Sequence, residues 1–125
     1  MLEEGITYQQ PTTVKNSNTA EKVGSGDLAV YGTPAMIAFI ENTAVKAVTE
    51  KLNDEQTTVG TKVDINHLNP TPVGETVTCS VELIEVKGAQ LKFKVTVEDE
   101  HNQIGSGTHI RYIVNQDKFM DKIKR

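Results

Sequence analysis

Apolar and polar residues alternate with period 2 along much of this chain, and one segment in its first half breaks that pattern. Between Gly32 and Leu52 the sequence GTPAMIAFIENTAVKAVTEKL carries a helical signal. Thr33 reads as the N-cap and Pro34 as the first helical residue, where the missing N–H would be unpaired anyway. The helix is predicted to run to about Leu52, roughly 28 Å at 1.5 Å per residue. Its first two turns, Ala35 to Ile40, are apolar on every side, which predicts burial all round. The second half is amphipathic, with Ala44, Val45, Val48 and Leu52 opposing Lys46, Glu50 and Lys51.

After the helix the period returns to 2. From Val59 onward, Thr61, Val63, Ile65 and His67 fall on one strand face, with Gly60, Lys62, Asp64 and Asn66 on the other. The turn NPTPVG ends that strand. Val77, Cys79, Val81 and Leu83 mark the next, and Leu91, Phe93, Val95 and Val97 the one after. Ile104 to Val114 is the last strand, and Asp117 to Ile123 a short amphipathic helix. Ahead of the long helix lie a strand near Thr7 to Asn18 and a glycine-bearing loop, Val23 to Asp27. Four strands joined by short turns read as an antiparallel meander with one apolar face. A helix apolar on all sides cannot be covered by one sheet face. A curved antiparallel sheet wrapped around one long central helix, with a second subunit completing the cover, is the expected α+β architecture. That arrangement is the hotdog fold.

Length and charge narrow the function classes. The 125 residues are expected to form a single domain over 1–125. Apolar residues make up 37% of the chain, low enough that further apolar surface is expected in an oligomer interface. A net charge of -4 with dispersed acidic residues argues against nucleic acid, which needs a basic stripe. An anionic small ligand is not excluded, since one or two local cations suffice for a phosphate. Cys79 is the lone cysteine, so no disulfide forms within the chain, and the expected compartment is a reducing cytoplasm. The N-terminal MLEEGITYQQ has no leader pattern, and the longest apolar stretch is far below a membrane span. No membrane association is expected.

Three blocks carry a resemblance. GTPAMIAFIENTA (Gly32 to Ala44), VGTKVDINHLNPTPVGETV (Val59 to Val77) and IGSGTHIRYIV (Ile104 to Val114) resemble the fluoroacetyl-CoA thioesterase-like branch of the hotdog superfamily. The similarity extends from about Thr7 to Phe119. It implies acyl-CoA thioester hydrolysis at a dimer interface, with Thr33, Glu41 and His67 as the catalytic set. It further implies a glycine facing the site at Gly60 and a substrate-binding arginine at Arg111. In the fluoroacetyl-specific member an aromatic lid stands in the loop before the helix, at about the position of Asp27. This chain reads GSGDLAVYG there, so fluoroacetyl-CoA is not the expected substrate.

The residues make chemical sense on their own terms. Glu41 follows the all-apolar stretch, so its carboxylate is either desolvated and fitted for proton transfer or turned to the polar face. Thioester hydrolysis needs a base for water or a carboxylate nucleophile, and Glu41 could serve as either. His67 is a core or rim residue or else a proton shuttle. Thr33 is a helix cap or else a hydroxyl that bonds the carboxylate or substrate, beside N–H groups that polarise a carbonyl. Thr33 and Glu41 lie ~12 Å apart along a straight helix. The expected site is therefore shared across a twofold axis of a homodimer, with pairing of dimers into a tetramer left open by the sequence. Arg111 is expected either to meet a coenzyme A phosphate or to form a salt bridge. His101 reads as solvated, His109, in GTHIR beside Arg111, as structural or else near the ligand, and Cys79 as a small apolar core residue. No metal is expected from this spacing, and no cofactor beyond the CoA of the substrate. Two other readings compete: a non-catalytic acyl-CoA-binding or sensing domain, and a hotdog enoyl-CoA hydratase. The hydratase needs a histidine soon after a Gly-Asp pair. Gly26-Asp27 has none before His67, which disfavours it.

Overall fold

The computed structural model describes residues 2–125. Five strands, β1 (Thr7–Thr13), β2 (Gln56–His67), β3 (Thr76–Lys87), β4 (Gln90–Glu98) and β5 (Gln103–Asn115), form one antiparallel sheet. The helices are α1 (Ala20–Val23), α2 (Thr33–Val48) and α3 (Gln116–Ile123). The α+β hotdog arrangement expected from the sequence is the one observed. Met36, Ile40, Ala44 and Val48, spaced four apart along α2, are buried with the alternate residues Val77, Cys79, Leu83, Leu91, Phe93, Val95 and Val97 of the sheet. Full burial of one such aliphatic or aromatic side chain is worth roughly 1.5–3 kcal/mol, so this layer supplies most of the stability.

Several local expectations need correction. The N-cap of α2 is Gly32, with Thr33 as the first helical residue, so the Thr33 hydroxyl does not cap the helix. Regular helix ends at Val48 and is continued by a single 3-10 turn, Thr49–Lys51, where the Thr49 hydroxyl donates back to the Val45 carbonyl at 2.7 Å. The apolar first turns are covered on one side. Met36 and Ile40 are buried, whereas Ala35, Ile37 and Phe39 are half-buried and Ala38 is exposed. One sheet face covers one flank of a helix, and the other flank stays open. The first strand stops at Thr13, because a 3-10 turn at Asn16–Asn18 follows, in which Asn18 accepts from the Lys15 N–H. The helix α1 was not anticipated; Thr19 caps it and Gly24, at φ 82°, ends it.

The connectivity differs from a four-strand meander. Strand order is β1-β3-β4-β5-β2, so β2 pairs with β5 at one edge and only β3, β4 and β5 are hairpin-linked. The Leu68–Glu75 connection cannot close a tight hairpin, since it carries two prolines and is tied down along its course. Leu68 N–H donates to the Ile104 carbonyl, the Asn69 amide to the Gln103 carbonyl, and the Tyr31 N–H to the Thr71 carbonyl.

Register within β2 also shifts. Gly60 pairs with Arg111 and Lys62 with Ile110, leaving Thr61 as the extra residue of a bulge. A bulge moves side chains to the opposite face. Gly60 therefore shares the helix-facing side with Val63, Ile65 and His67, not with Lys62 and Asp64 as strict alternation predicts.

Farther along the β2–β5 pair, Gly107 has φ 151°, and a Cβ there would run into the Asp64 carbonyl of the paired strand. Gly107→Ala is expected to destabilise the protein by about 3 kcal/mol, lowering Tm by ~10 °C or more. A thermal melt checks this, and an unchanged midpoint would refute the close approach.

Candidate active site

The start of α2 and the end of β2 meet. With no capping duty, the Thr33 hydroxyl lies 2.7 Å from His67 Nδ1. The pair lines a cleft of about 330 Å³ together with Tyr31, Val30, Leu68 and Pro70. The Tyr31 ring meets the imidazole edge-on, with centroids 6.5 Å apart. His67 Nε2 is buried and has no hydrogen-bond partner among the described residues. Burial lowers the His67 pKa below its ordinary value, against a smaller opposing pull from the Asn69 backbone.

Two turns along α2, a second group assembles around Glu41. Its Oε2 lies 3.1 Å from Arg111 Nη1 and 4.0 Å from His109 Nε2. Strand alternation on β5 puts His109 and Arg111 on one face, and the β2 bulge brings Gly60 opposite them. A Cβ on residue 60 would stand 2.6 Å from Glu41 Oε2 and 3.1 Å from Arg111 Nη1. A side chain at residue 60 would make the carboxylate shift away from its present contact with the guanidinium. Thr58 anchors the arginine: Nε donates to its hydroxyl at 2.8 Å and Nη2 to its carbonyl at 2.9 Å. Glu41 thus fits neither simple expectation. Its side chain is 39% exposed, and its charge is met by a guanidinium as well as by solvent. Burial lowers the Arg111 pKa, and Glu41 opposes that shift.

His109 is fully buried, stacked near Phe93, and its Nδ1 lies 2.7 Å from the Lys62 carbonyl. A carbonyl only accepts, so Nδ1 carries the proton and the neutral ring turns the Nε2 lone pair toward Arg111 Nη1, 3.2 Å away. Burial lowers the His109 pKa; Arg111 acts in the same sense, while the Lys62 carbonyl and Glu41 oppose.

The five expected residues therefore fall into two groups, Thr33 with His67 and Glu41 with Gly60 and Arg111. No hydrogen bond or ion pair joins the two groups among the described residues. Of the two expectations for Arg111, the salt bridge forms; the guanidinium is 6% exposed and committed to protein partners, so it does not offer itself to a phosphate. Sequence reasoning passed over Thr58 and left His109 as structural or else near the ligand. The i, i+2 spacing of His109 and Arg111 was the available signal for the latter.

Both lowered imidazoles bear on stability. In the unfolded chain they take up protons near pH 6.5, whereas in the fold they stay neutral to lower pH. The unfolded state then binds more protons in that window, so stability falls as pH drops below about 6.5. Melts between pH 7.5 and about 5.5 are expected to show this loss, and His67→Gln with His109→Gln to flatten it.

Comparison with known proteins agrees with this architecture. The sequence model of the fluoroacetyl-CoA-specific thioesterase family matches residues 14–117. The fluoroacetyl-CoA thioesterase of Streptantibioticus cattleyicolor is 34% identical over 96 residues, which span 77% of this chain and 69% of that protein. A solved structure of the fluoroacetyl-CoA thioesterase FlK superposes with a TM-score of 0.94 at 28% identity, covering 98% of this chain and 96% of the other. A hot-dog-like protein from Thermanaerovibrio acidaminovorans shares the fold at a TM-score of 0.89 and 23% identity, over 98% of this chain and 90% of its own. With the match running through both side-chain groups, the chain belongs to the fluoroacetyl-CoA-specific thioesterase family and is an acyl-CoA thioesterase of hotdog fold.

Proposed function

We propose that the protein hydrolyses a small or medium acyl-CoA to free acid and CoA at a site completed across the twofold axis of a homodimer. One protomer supplies Thr33 and His67, and the partner subunit's Glu41 faces them. The observation that carries this reading is the Glu41 carboxylate, held by Arg111 at 3.1 Å in the room that Gly60 leaves by having no Cβ. The open flank of α2 and the unpaired outer edge of β2, with Val63 42% exposed, support dimer formation.

The chemistry follows from what each group can do. The thioester carbonyl sits at the start of α2, where the helix dipole and the Thr33 hydroxyl stabilise the developing oxyanion. Glu41 either attacks the carbonyl carbon, giving an anhydride that water then hydrolyses to free acid and carboxylate, or takes a proton from a water that attacks the thioester directly. The C–S bond breaks and the sulfur leaves as CoA thiolate. His67 can protonate it as the imidazolium: Nδ1–H then donates to the Thr33 oxygen, which leaves the Thr33 hydroxyl hydrogen free for the oxyanion, and the otherwise unpartnered Nε2–H gives up the proton. No cofactor beyond the CoA moiety takes part, and the reducing cytoplasm suits the free Cys79 thiol. A related solved structure holds fluoroacetate and CoA. In this chain the 24–30 loop has no aromatic residue and Asp27 is exposed, which favours a non-fluorinated acyl group.

Free-thiol release over a panel of acyl-CoAs, from acetyl to long-chain with fluoroacetyl included, tests the reading. Turnover is expected to peak among the short and medium chains. Binding across the panel with no thiol released would make the protein a sensor, and a peak at fluoroacetyl-CoA alone would overturn the substrate assignment.

A further inference from the structure

We propose that His109 is a positioning residue for the reaction: its Nε2 lone pair holds the Arg111 guanidinium in the orientation that presents Nη1 to the Glu41 carboxylate. The proposal rests on the catalytic role given to Glu41 above. Arg111 Nε–H goes to the Thr58 hydroxyl and one Nη2–H to the Thr58 carbonyl. Nη1 has two hydrogens and two partners, Glu41 Oε2 at 3.1 Å and His109 Nε2 at 3.2 Å. With one hydrogen directed at the imidazole, planarity of the guanidinium aims the other at the carboxylate.

The imidazole can do this only in one tautomer, and the Lys62 carbonyl, 2.7 Å from Nδ1, selects that tautomer. The ring is fully buried, so solvent does not substitute for it. A residue needed merely to fill space against Phe93 would have no use for two committed ring nitrogens. The groups thus form one line: Lys62 carbonyl, His109, Arg111, Glu41. Each fixes the next, and the last is the one placed at the reacting carbonyl.

Three substitutions in the full-length protein separate positioning from packing. His109→Gln places an amide oxygen near the position of Nε2 and keeps an acceptor for Arg111. His109→Asn places an amide N–H near Nδ1 and keeps only the bond to Lys62. His109→Leu removes both. The expected result is a kcat loss of about 10–100-fold for the Leu and Asn variants with KM little changed, and recovery of most activity by Gln. In a Glu41→Gln background, His109→Leu is expected to cost nothing further, because the two act through one carboxylate.

Equal activities for the Asn and Gln variants would overturn the proposal, as would a Leu variant with native kcat per folded molecule. Should the Leu variant not fold, the Asn and Gln pair still decides. Native activity in Glu41→Gln alone would instead refute the catalytic role of Glu41, so the two failures are told apart.

Discussion

Glu41→Gln is expected to lower kcat for acyl-CoA hydrolysis by about 10³-fold, within the range that positioned acid–base or nucleophilic groups contribute. Glutamine keeps the length of the side chain, and its amide oxygen can still accept from Arg111 Nη1. What it loses is the negative charge, and with it both the nucleophile and the base. Glu41→Ala is a poorer probe. It leaves the buried Arg111 guanidinium without its counter-ion, and removing one partner of a fully buried pair costs ~3–5 kcal/mol. The 39% exposure of Glu41 lessens that cost here without abolishing it, so lost activity and lost fold would be mixed. The measurement is free-thiol release at saturating acyl-CoA, with a thermal melt alongside. A Gln variant that turns over at the native rate would remove Glu41 from the chemistry. A variant that binds acyl-CoA normally but releases no thiol is the expected outcome.

How much of this could be read from the chain depends on which kind of physical signal each feature carries. The long helix and the strands β3, β4 and β5 announce themselves because their buried residues recur with the period of the element. Met36, Ile40, Ala44 and Val48 form one stripe, and Val77, Cys79, Val81 and Leu83 one strand face. The bulge at Thr61 is different in kind. It depends on the pairing of β2 with β5, a contact between residues some fifty positions apart, and it changes no local pattern. Alternation alone therefore put Gly60 on the wrong side, while the family resemblance put it at the site. The placement of β2 beside β5 was hidden for the same reason, since a proline-bearing connection of eight residues reads locally as a turn.

The Thr33 cap failed more subtly. A threonine before proline at a helix start is a cap by default, but here Gly32 occupies that position and the hydroxyl has a histidine 34 residues away to bond. Long-range partners of this kind leave no local trace. The incomplete burial of Ala35, Ile37 and Phe39 follows from the same limit. Their apolar character predicted cover on every side, whereas the sheet covers only one flank.

A complementation experiment bears on that missing cover. His67→Ala and Glu41→Gln are each expected to be nearly inactive as homodimers, since every site lacks one of its two halves. When the two variants are mixed as unfolded chains and refolded together, random pairing makes half of the dimers mixed ones. In a mixed dimer one site combines both defects, and the other combines an intact His67 from one protomer with an intact Glu41 from the other. About a quarter of all sites are then whole, and kcat per site is expected to rise from ~10⁻³ of native to about one quarter. That is a gain of more than a hundredfold with no new residue introduced. His67→Ala suits the purpose because its loss frees only the exposed Thr33 hydroxyl to bond water, leaving the α2 core untouched. If Thr33, His67 and Glu41 served a site within one protomer, no mixed dimer would contain an intact set. Mixing would then restore nothing, and the ~12 Å between the two groups along α2 would have to be bridged by substrate alone.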